Sequence, residues 1–326
     1  MTSNKLRMAK ALVLLSGGLD SLVAAKLLLE QGIEVEGVVF TDPFSGPLEP
    51  SERTNAARHA AEQLGIPLTV IDKGKAFFEI LENPKHGRGN AFNPCIDCRI
   101  YSLKLARNLM AEKNADFIAT GEVIGQRPMS QTLGKLRLIE RETCLEGKLL
   151  RPLSAKALPA TEAEETGLVD RKKLWELKGR QRERQIEFAR ACGLSFPSPA
   201  GGCLLTEKGF CKKATELFEH KPFSATDLLF LRVGKHYRLK SGEKAVLGRD
   251  KAENEFIARH AEANGALLEP DFPAPTAFVS NCGKKVGNHA LKETARLILL
   301  NSKGTNGISC NGKEVVASES TDAQRI

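Results

Sequence analysis

A short run of serine and glycine separates an apolar stretch from a helical pattern near the start of the chain. The residues LVLLSGGLDS lead directly into SLVAAKLLLEQG. Gly17 and Gly18 have no side chains, so the backbone can turn sharply and bring its N–H groups against phosphate oxygens, beside the positive end of the helix. The hydroxyls of Ser16 and Ser21 add donors, and Asp20 can cap the helix or orient a phosphate-bound magnesium ion. The pattern therefore predicts a phosphate-binding loop.

This loop differs from the commonest nucleotide-binding motifs. It is not a Walker A sequence, because no G-x-x-x-x-G-K-[ST] is present, and it does not follow the G-x-G-x-x-G of dinucleotide binders. S-G-G-L-D-S resembles the pyrophosphate loop of enzymes that split ATP into AMP and pyrophosphate to adenylylate a substrate. The resemblance implies ATP as a substrate, and the alternative interpretation is a capped strand-to-helix turn.

Two of the eight cysteines are close together in the sequence. Cys95 and Cys98 form C-x-x-C in NPCIDCR, a spacing that lets both thiolates reach one metal ion or cluster from a tight turn at a helix start. Eight cysteines in a cytosolic chain of 326 residues argue against a disulfide framework, and a third ligand would come from a distant segment. Isolated cysteines are expected to be buried, and these are Cys144, Cys192, Cys211, Cys282 and Cys310.

The first half of the chain alternates between strand and helix patterns. Strands are predicted over 10–15, 35–40, 68–72 and 116–120, and helices over 21–31, 51–64, 75–82 and 98–113. This alternation predicts an α/β fold with an open, doubly wound, mainly parallel sheet, whose ligand lies across the carboxyl ends of the strands. Three loops are expected at that edge: the Ser16 loop, TDPFSGP after Phe40, and GEVIGQRPMSQTLGKLRLIE after Thr120.

The third of these loops makes the resemblance more specific. TGEVIGQRPMSQTLGKLRLIE, followed by LLRPLSA at 149–155, resembles the segment after the fourth strand of the tRNA 4-thiouridine synthetase family, whose pattern is close to T-G-E-x-x-G-Q-x-x-S-Q-T-L followed by L-R-P-L. This chain has one extra residue, in R-P-M-S. With the first loop, the resemblance spans roughly residues 10 to 155 and implies an adenine nucleotide alpha hydrolase-like ATP-binding domain, which we place at 1–207. It implies ATP contacts at Leu15, Ser16, Gly17, Gly18, Asp20, Ser21, Val39, Phe40, Arg99, Gly121 and Gln131.

The same resemblance implies a reaction in which sulfur replaces a carbonyl oxygen of a tRNA base. ATP adenylylates the oxygen, a sulfur nucleophile expels AMP, and magnesium with backbone donors stabilises the departing pyrophosphate. Cys203 lies in SPAGGCLLT, where Pro199, Gly201 and Gly202 predict an irregular loop and an accessible thiol. It resembles the third cysteine of related RNA thiolases, including the tRNA 2-thiouridine enzymes.

The resemblance thus predicts a catalytic set of Asp20, Cys95, Cys98 and Cys203. The three thiolates can hold a [4Fe–4S] cluster by three irons and leave the fourth free to bind hydrosulfide. A cysteine persulfide that forms a transient disulfide with Cys203, without any metal, is an alternative. Zinc is another alternative, but it would need a fourth ligand and no histidine is close in sequence to either motif.

From about residue 208 the alternation stops, which predicts a separate, smaller α+β domain over 208–326 with a loosely ordered tail. LRVGKHYRLKSGEKAVLGRDKAENEFI, then ALLEPDFPAPTAFV, resembles the RNA-binding domain of the NFACT proteins, across roughly residues 228 to 300. Strands with interleaved aromatic and basic groups can neutralise phosphates and stack a base, and the alternative is a small β domain with a solvated basic edge. The candidate side chains are Arg232, Lys235, His236, Tyr237, Arg238, Arg249 and Lys251.

The charge and composition agree with a cytoplasmic RNA-binding protein. The net charge of +8 favours a polyanionic partner, and residues 171–190 hold eight Lys or Arg against three Glu, either as a solvated helix face or as a nucleic-acid contact surface. A hydrophobic content of 41% and a charged content of 27% are ordinary for a soluble protein. No apolar run approaches the length of a membrane span, and MTSNKLRMAK lacks a signal-peptide core.

These features favour an ATP-dependent tRNA sulfurtransferase supplied by an external donor, either sulfide or a persulfide-carrying protein. One alternative is a pyrophosphate-loop ligase acting on a small molecule, as in 7-deazaguanine nitrile synthases, which use a closer-packed zinc cysteine set that this chain lacks. Another is an RNA-binding adaptor without chemistry, which the retained Asp20, Cys95, Cys98 and Arg99 make less attractive. The sequence leaves open which nucleoside is modified and the oligomeric state.

Overall fold

Contacts within the chain divide it into two units, Met1–Gly202 and Cys203–Ile326, in a computed structural model. The structure describes residues 8–41, 44, 52–74, 76–198, 203–261, 265–281, 284–303 and 307–326. The change in sequence pattern near residue 208 falls at the start of the first helix of the second unit. The assignment of the two parts as ATP-binding and RNA-binding domains stays a prediction.

The first unit is built on a five-stranded parallel sheet in the order β3-β2-β1-β4-β5. Its strands are β1 (Lys10–Leu14), β2 (Glu34–Thr41), β3 (Leu68–Asp72), β4 (Phe117–Thr120) and β5 (Leu149–Leu150). Its helices are α1 (Leu19–Leu29), α2 (Glu52–Leu64), α3 (Ala76–Glu82), α4 (Cys95–Glu112), α5 (Leu133–Thr143), α6 (Glu162–Glu165) and α7 (Glu183–Ala191).

Strand β1 runs through the centre of this unit and is apolar on both faces. Ala11 and Val13 belong to one hydrophobic core, while Leu12 and Leu14 belong to the other, as the two-residue repeat of a strand requires. The sequence of a strand that is covered on both faces is apolar throughout, whereas a strand with one solvated face alternates apolar and polar residues. The run KALVL therefore indicates a central parallel strand. The predicted doubly wound, mainly parallel α/β fold is confirmed.

Most of the predicted elements of the first half are present within a few residues, and two details differ. Helix α4 begins at Cys95 rather than near residue 98, so both cysteines of the C-x-x-C motif lie in its first turn. The basic run at 171–190 does not form one continuous helix. Lys178 forms a parallel bridge with Ile124, and Gly179 has a φ of +84°, so the α-helix of this run begins only at Glu183.

The second unit is a seven-stranded antiparallel sheet with four helices among its described residues, and the predicted smaller α+β fold is confirmed. The strand order is β11-β10-β8-β9-β7-β6-β12. Its strands are β6 (Lys235–Arg238), β7 (Lys244–Leu247), β8 (Ala266–Pro270), β9 (Ala277–Ser280), β10 (Ile308–Cys310), β11 (Lys313–Glu314) and β12 (Gln324–Arg325). Its helices are α8 (Lys208–Glu219), α9 (Ala225–Phe230), α10 (Lys251–His260) and α11 (Asn288–Leu300).

None of the helices in the described part of the chain has the length and apolar character needed to cross a membrane.

Candidate active site

Hydroxyl groups close the loop that follows β1. The Ser21 hydroxyl donates to the Gly18 carbonyl at 2.9 Å and accepts the Ser16 N–H at 3.2 Å. The Ser16 and Ser21 hydroxyl oxygens are themselves 3.2 Å apart. These contacts join the two ends of the loop, so the first turn of α1 and the end of β1 are held together and the loop keeps a defined shape.

The two glycines of the loop have different roles. Gly17 has a φ of +76°, and a Cβ added to it would lie 2.3 Å from the carbonyl carbon of Ala56 in α2, so a side chain fits neither the backbone nor the packing. A Cβ added to Gly18 would meet, among the described residues, the Ser16 hydroxyl at 3.5 Å, which is ordinary contact. Gly17 therefore permits the close approach of α2, and Gly18 leaves backbone accessible to a ligand.

Asp20 is the second residue of α1, and its carboxylate accepts from two glutamine side chains and pairs with one arginine. Gln126 Nε2 lies 3.1 Å from Oδ2, Gln185 Nε2 lies 3.4 Å from Oδ1, and Arg182 Nη2 lies 3.6 Å from Oδ2. Gly18, not Asp20, is the N-cap of the helix, so the capping alternative for Asp20 is wrong. The carboxylate instead joins α1 to the segment after β4 and to the start of α7.

The segment after β4 packs directly against the phosphate loop. A Cβ added to Gly121 would lie 2.5 Å from the Asp20 carbonyl carbon and oxygen and 2.5 Å from the Ser21 nitrogen. Further along, the Gly125 N–H donates to the Gln131 carbonyl at 2.8 Å, which folds the segment back on itself. The Gln131 side chain is buried, and its Oε1 has no hydrogen-bond partner among the described residues.

Glu122, next to Gly121, is the centre of a buried ion-pair cluster that sequence reasoning missed. Its carboxylate accepts from Arg99 Nε at 2.8 Å, Arg151 Nε at 3.0 Å and the Thr120 hydroxyl at 3.1 Å, and Arg151 also pairs with Glu140. Burial raises the pKa of Glu122, but the charges of Arg99 and Arg151 outweigh it, so the net shift is downward. The signal was present in the motifs T-G-E and L-R-P-L, which contain Glu122 and Arg151.

Cys95 and Cys98 lie on the first turn of α4, and each sulfur accepts from a side chain outside the helix. Asn93 Nδ2 is 2.9 Å from the Cys95 sulfur, and Lys73 Nζ is 3.2 Å from the Cys98 sulfur. Lys73 directly follows β3, and Arg99 binds Glu122 at the end of β4. The cysteine pair is therefore at the carboxyl edge of the sheet, where the phosphate loop follows β1.

The third predicted sulfur ligand belongs to the other unit. Cys203 is exposed and precedes a 3-10 turn, Leu204–Thr206, while Pro199, Gly201 and Gly202 lie outside the described residues. Within the described ranges, no three His, Cys, Asp or Glu side chains are grouped so that they could hold a metal ion. The structure thus brings Cys95 and Cys98 together, and the grouping of both with Cys203 stays a prediction.

Several predicted ATP contacts are part of the sheet. Leu15 is buried and its N–H donates to the Val38 carbonyl at 2.8 Å, and Val39 and Phe40 are buried as well. Most of TDPFSGP lies outside the described residues. Contacts of Leu15, Val39 and Phe40 with a nucleotide stay predictions.

Burial of the isolated cysteines was predicted, and the outcome differs from site to site. Cys310 is buried, Cys192 and Cys211 are half-buried, and Cys282 lies outside the described residues. Cys144 is exposed, so its predicted burial is wrong. It ends α5 in a left-handed conformation with a φ of 53°.

In the second unit, two of the predicted RNA-contacting side chains are buried. His236 is 1% exposed with its Nε2 facing the carbonyls of Phe230 and Val233, and burial together with the nearby Lys244 charge keeps its pKa well below the usual value. Tyr237 packs in the hydrophobic core of this unit. The prediction that these two rings stack a base is wrong for this structure, because both fall at buried positions of β6.

The basic candidates of the second unit differ in exposure, although several have acidic partners. Arg238 pairs with Glu216 and is 15% exposed, whereas Arg249 pairs with Glu253 and is 56% exposed. Lys251 is 92% exposed and lies 3.9 Å from Glu255. The solvated basic edge therefore includes Lys251, and a role of these cations in RNA binding stays a prediction.

Comparison with known proteins gives matches to parts of the chain. Residues 7–157 match the family model described as thiamine biosynthesis protein (ThiI). The tRNA-specific 2-thiouridylase MnmA of Syntrophotalea carbinolica is 38% identical over 118 residues, which are 34% of this chain and 33% of that protein. The chain thus spans about a third of the length of such curated relatives.

Two solved structures have partial similarity. A 4-thiouridine synthetase in complex with RNA and ATP is 29% identical, with 51% of this chain and 40% of that chain covered and a TM-score of 0.36. The U34-tRNA thiolase NcsA from Methanococcus maripaludis with its [4Fe–4S] cluster is 20% identical, with 68% and 70% covered and a TM-score of 0.35.

The parallel sheet and its S-G-G-L-D-S loop have the architecture predicted for a pyrophosphate-loop domain. Residues 7–157 are similar to ThiI, and about a third of the chain is similar to MnmA, so the resemblance to tRNA thiolation enzymes predicted from the sequence is confirmed. The NFACT-like resemblance of the second half stays a prediction.

Proposed function

We propose that the protein is an ATP-dependent tRNA thiolation enzyme. The observation that carries the proposal is the common position of the two reactive features: the phosphate loop and the cysteine pair lie at the same edge of one sheet. Cys98 is followed by Arg99, which binds Glu122, and the neighbouring Gly121 packs against Asp20 of the loop. A phosphate loop and adjacent thiols meet the two needs of base thiolation, which are activation of an oxygen and delivery of sulfur.

On the nucleotide side, the loop binds the phosphates of ATP. The backbone at Gly17 and Gly18, the hydroxyls of Ser16 and Ser21 and the first turn of α1 provide donors to the pyrophosphate that departs on adenylylation. Asp20 is the available carboxylate for orienting a phosphate-bound magnesium ion. Gln131 contributes a buried amide oxygen that accepts from the nucleoside, which would give this orphaned acceptor a partner.

On the sulfur side, Cys95 and Cys98, with Cys203 as the predicted third ligand, would hold a [4Fe–4S] cluster. Two of the three thiols share one helical turn, and the side chains of Asn93 and Lys73 donate to their sulfurs, as outer partners of metal-bound thiolates commonly do. When bound through three irons, such a cluster supplies an open iron that can hold sulfide. The same two thiols also suit a persulfide without metal, and iron content separates the two accounts.

The nucleic-acid substrate is captured by basic surface of the first unit and, in our proposal, by the second unit as well. Around the strand-like bridge at Lys178, the segment from Lys172 to Arg180 presents several exposed cations. Exposed Lys and Arg neutralise backbone phosphates without reading sequence. The exposed members are Lys172, Lys173, Lys178 and Arg180. Sulfur arrives from an external donor, as sulfide or on a persulfide-carrying protein.

The test is a mass-spectrometric profile of tRNA nucleosides from cells with and without the protein. We expect one thionucleoside to disappear in the deletion strain and to return with the wild-type gene but not with Cys98→Ala. Cys144→Ala is the matched control, because Cys144 is an exposed thiol away from α4 and should restore the nucleoside fully. An unchanged thionucleoside profile in the deletion strain would contradict the proposal and favour the small-molecule ligase or the RNA-binding adaptor.

Iron analysis of anaerobically purified protein tests the cluster separately. Wild type should contain iron and sulfide, and Cys95→Ala or Cys98→Ala should lose both, whereas stoichiometric zinc would contradict the cluster. Metal-free protein that still supports thionucleoside formation would favour the persulfide.

A further inference from the structure

Two side chains near the start of α7 reach the phosphate loop from a segment that the sequence motifs do not include. The segment is anchored on its N-terminal side by the sheet-like contacts of Leu177 and Gly179, whose N–H groups donate to the Leu153 carbonyl at 2.8 Å and to the Ile124 carbonyl at 2.7 Å. On its C-terminal side, Ala189 of α7 belongs to the same hydrophobic core as α1. The backbone around Arg182 is therefore held at both ends.

From this position Arg182 and Gln185 both contact Asp20. Gln185 is 0% exposed, donates from Nε2 to Asp20 Oδ1 at 3.4 Å, and has an Oε1 without a hydrogen-bond partner in the described part of the chain. The Arg182 side chain is 28% exposed, with Nη2 3.6 Å from Asp20 Oδ2. A buried acceptor that lacks a donor is rare in folded proteins, so a water or another donor is expected beside Gln185.

We propose that Arg182 is a phosphate-binding residue of this site, which contacts the β- and γ-phosphates of ATP and the pyrophosphate formed from them, while Gln185 positions Asp20. The proposal rests on the proposed function, because it takes ATP as the nucleotide of the loop. Arg182 sits at the loop by its contact with Asp20, and the two backbone anchors keep it there.

The chemistry of the guanidinium supports this role. Arginine has five N–H donors in a planar fork that matches a phosphate, and the one described contact of Arg182 uses a single terminal nitrogen at a distance beyond a good hydrogen bond. The remaining N–H groups of the guanidinium can therefore bind a phosphate, which carries more charge than the Asp20 carboxylate. That carboxylate already accepts a hydrogen bond from Gln126. Positive charge at this point stabilises pyrophosphate as it accumulates charge on leaving.

Binding measurements on the full-length protein test the role, with ATP, AMP and inorganic pyrophosphate as probes in the presence of magnesium. Arg182→Gln should weaken binding of ATP and of pyrophosphate by about 10- to 100-fold. AMP lacks the two terminal phosphates, so its affinity should stay within about twofold, and Arg182→Lys should recover part of the loss. Equal weakening of ATP and AMP would indicate a merely structural role and overturn the proposal.

Arg184→Gln is the matched control, because Arg184 is an exposed arginine two positions away that lies 4.4 Å over the Trp175 ring. It should bind all three probes as the wild type does. Thermal unfolding without ligand checks that Arg182→Gln remains folded. An Arg182→Gln variant with wild-type ATP affinity would overturn the role of Arg182 alone, whereas a wild-type protein that binds no ATP would overturn the proposed function and this inference with it.

Discussion

Replacing Arg151 tests whether the buried cluster around Glu122 holds the site together. Arg151 and Glu122 are each 1% exposed, and Arg151 also pairs with Glu140, so Arg151→Met leaves a buried carboxylate with Arg99 as its remaining cation. Arg99 provides the comparison, because its side chain is 26% exposed although it binds the same carboxylate.

The expected magnitudes differ because burial differs. Removing one partner of a buried ion pair costs about 3–5 kcal/mol, since the remaining charge stays buried away from water and is less fully paired. A partly exposed partner is screened and replaced by water, so Arg99→Met should cost about 1 kcal/mol or less. At about 2–4 °C per kcal/mol for a domain of this size, Arg151→Met should lower the melting temperature of the first unit by roughly 6–20 °C, against about 4 °C at most for Arg99→Met.

The assay is thermal unfolding of the full-length variants, followed by circular dichroism at neutral pH and again in acid. The pKa of Glu122 is lower in the folded state, so its contribution is present above the unfolded value, about 4.3, and is lost as the pH falls below it. The stability difference between the wild type and Glu122→Gln should therefore shrink in acid. A melting temperature for Arg151→Met equal to or above that of Arg99→Met would refute the reasoning.

Three further changes have defined outcomes. Gly121→Ala places a Cβ about 2.5 Å from the Asp20 backbone and should weaken ATP binding at least about tenfold by equilibrium dialysis, and unchanged affinity would contradict the close packing. Lys73→Met removes the donor to the Cys98 sulfur and should speed the loss of iron from anaerobic protein to a chelator. An unchanged rate of iron loss would show that the sulfur does not need this donor. Burial and the nearby Arg249 charge lower the pKa of Lys213 to about 8. Lys213→Met should therefore stabilise the protein at pH 7 by on the order of 1 kcal/mol, and this gain should decline as the pH rises from about 8 to 10. A gain in stability that stays constant over this pH range would contradict the prediction.

The phosphate loop and the sheet could be predicted because their information is local. Gly17, Gly18 and Ser21 are near neighbours in the chain, and four of the five strands of the first unit were predicted from short runs rich in apolar residues. The C-x-x-C spacing likewise places Cys95 and Cys98 on one turn without reference to other elements. These features depend on backbone geometry over a few residues.

The burial of β6 could not be predicted in the same way. R-V-G-K-H-Y-R-L interleaves basic and aromatic residues, which predicted side chains available to phosphates and bases. In the folded chain His236 bonds two carbonyls and Tyr237 enters the core, because other elements cover both faces at these positions. Only the packing of neighbouring elements decides which face of a short strand meets solvent.

By itself, the sequence determined that this protein has a phosphate loop ahead of a helix, a thiol pair on one turn and a parallel α/β framework, since each follows from residues adjacent in the chain. The tertiary structure alone decided the partners of the charged and polar side chains. Asp20 meets Gln185, 165 residues away, and Cys98 meets Lys73. Such contacts depend on where helices and strand ends are brought together in space, and no local periodicity encodes that position.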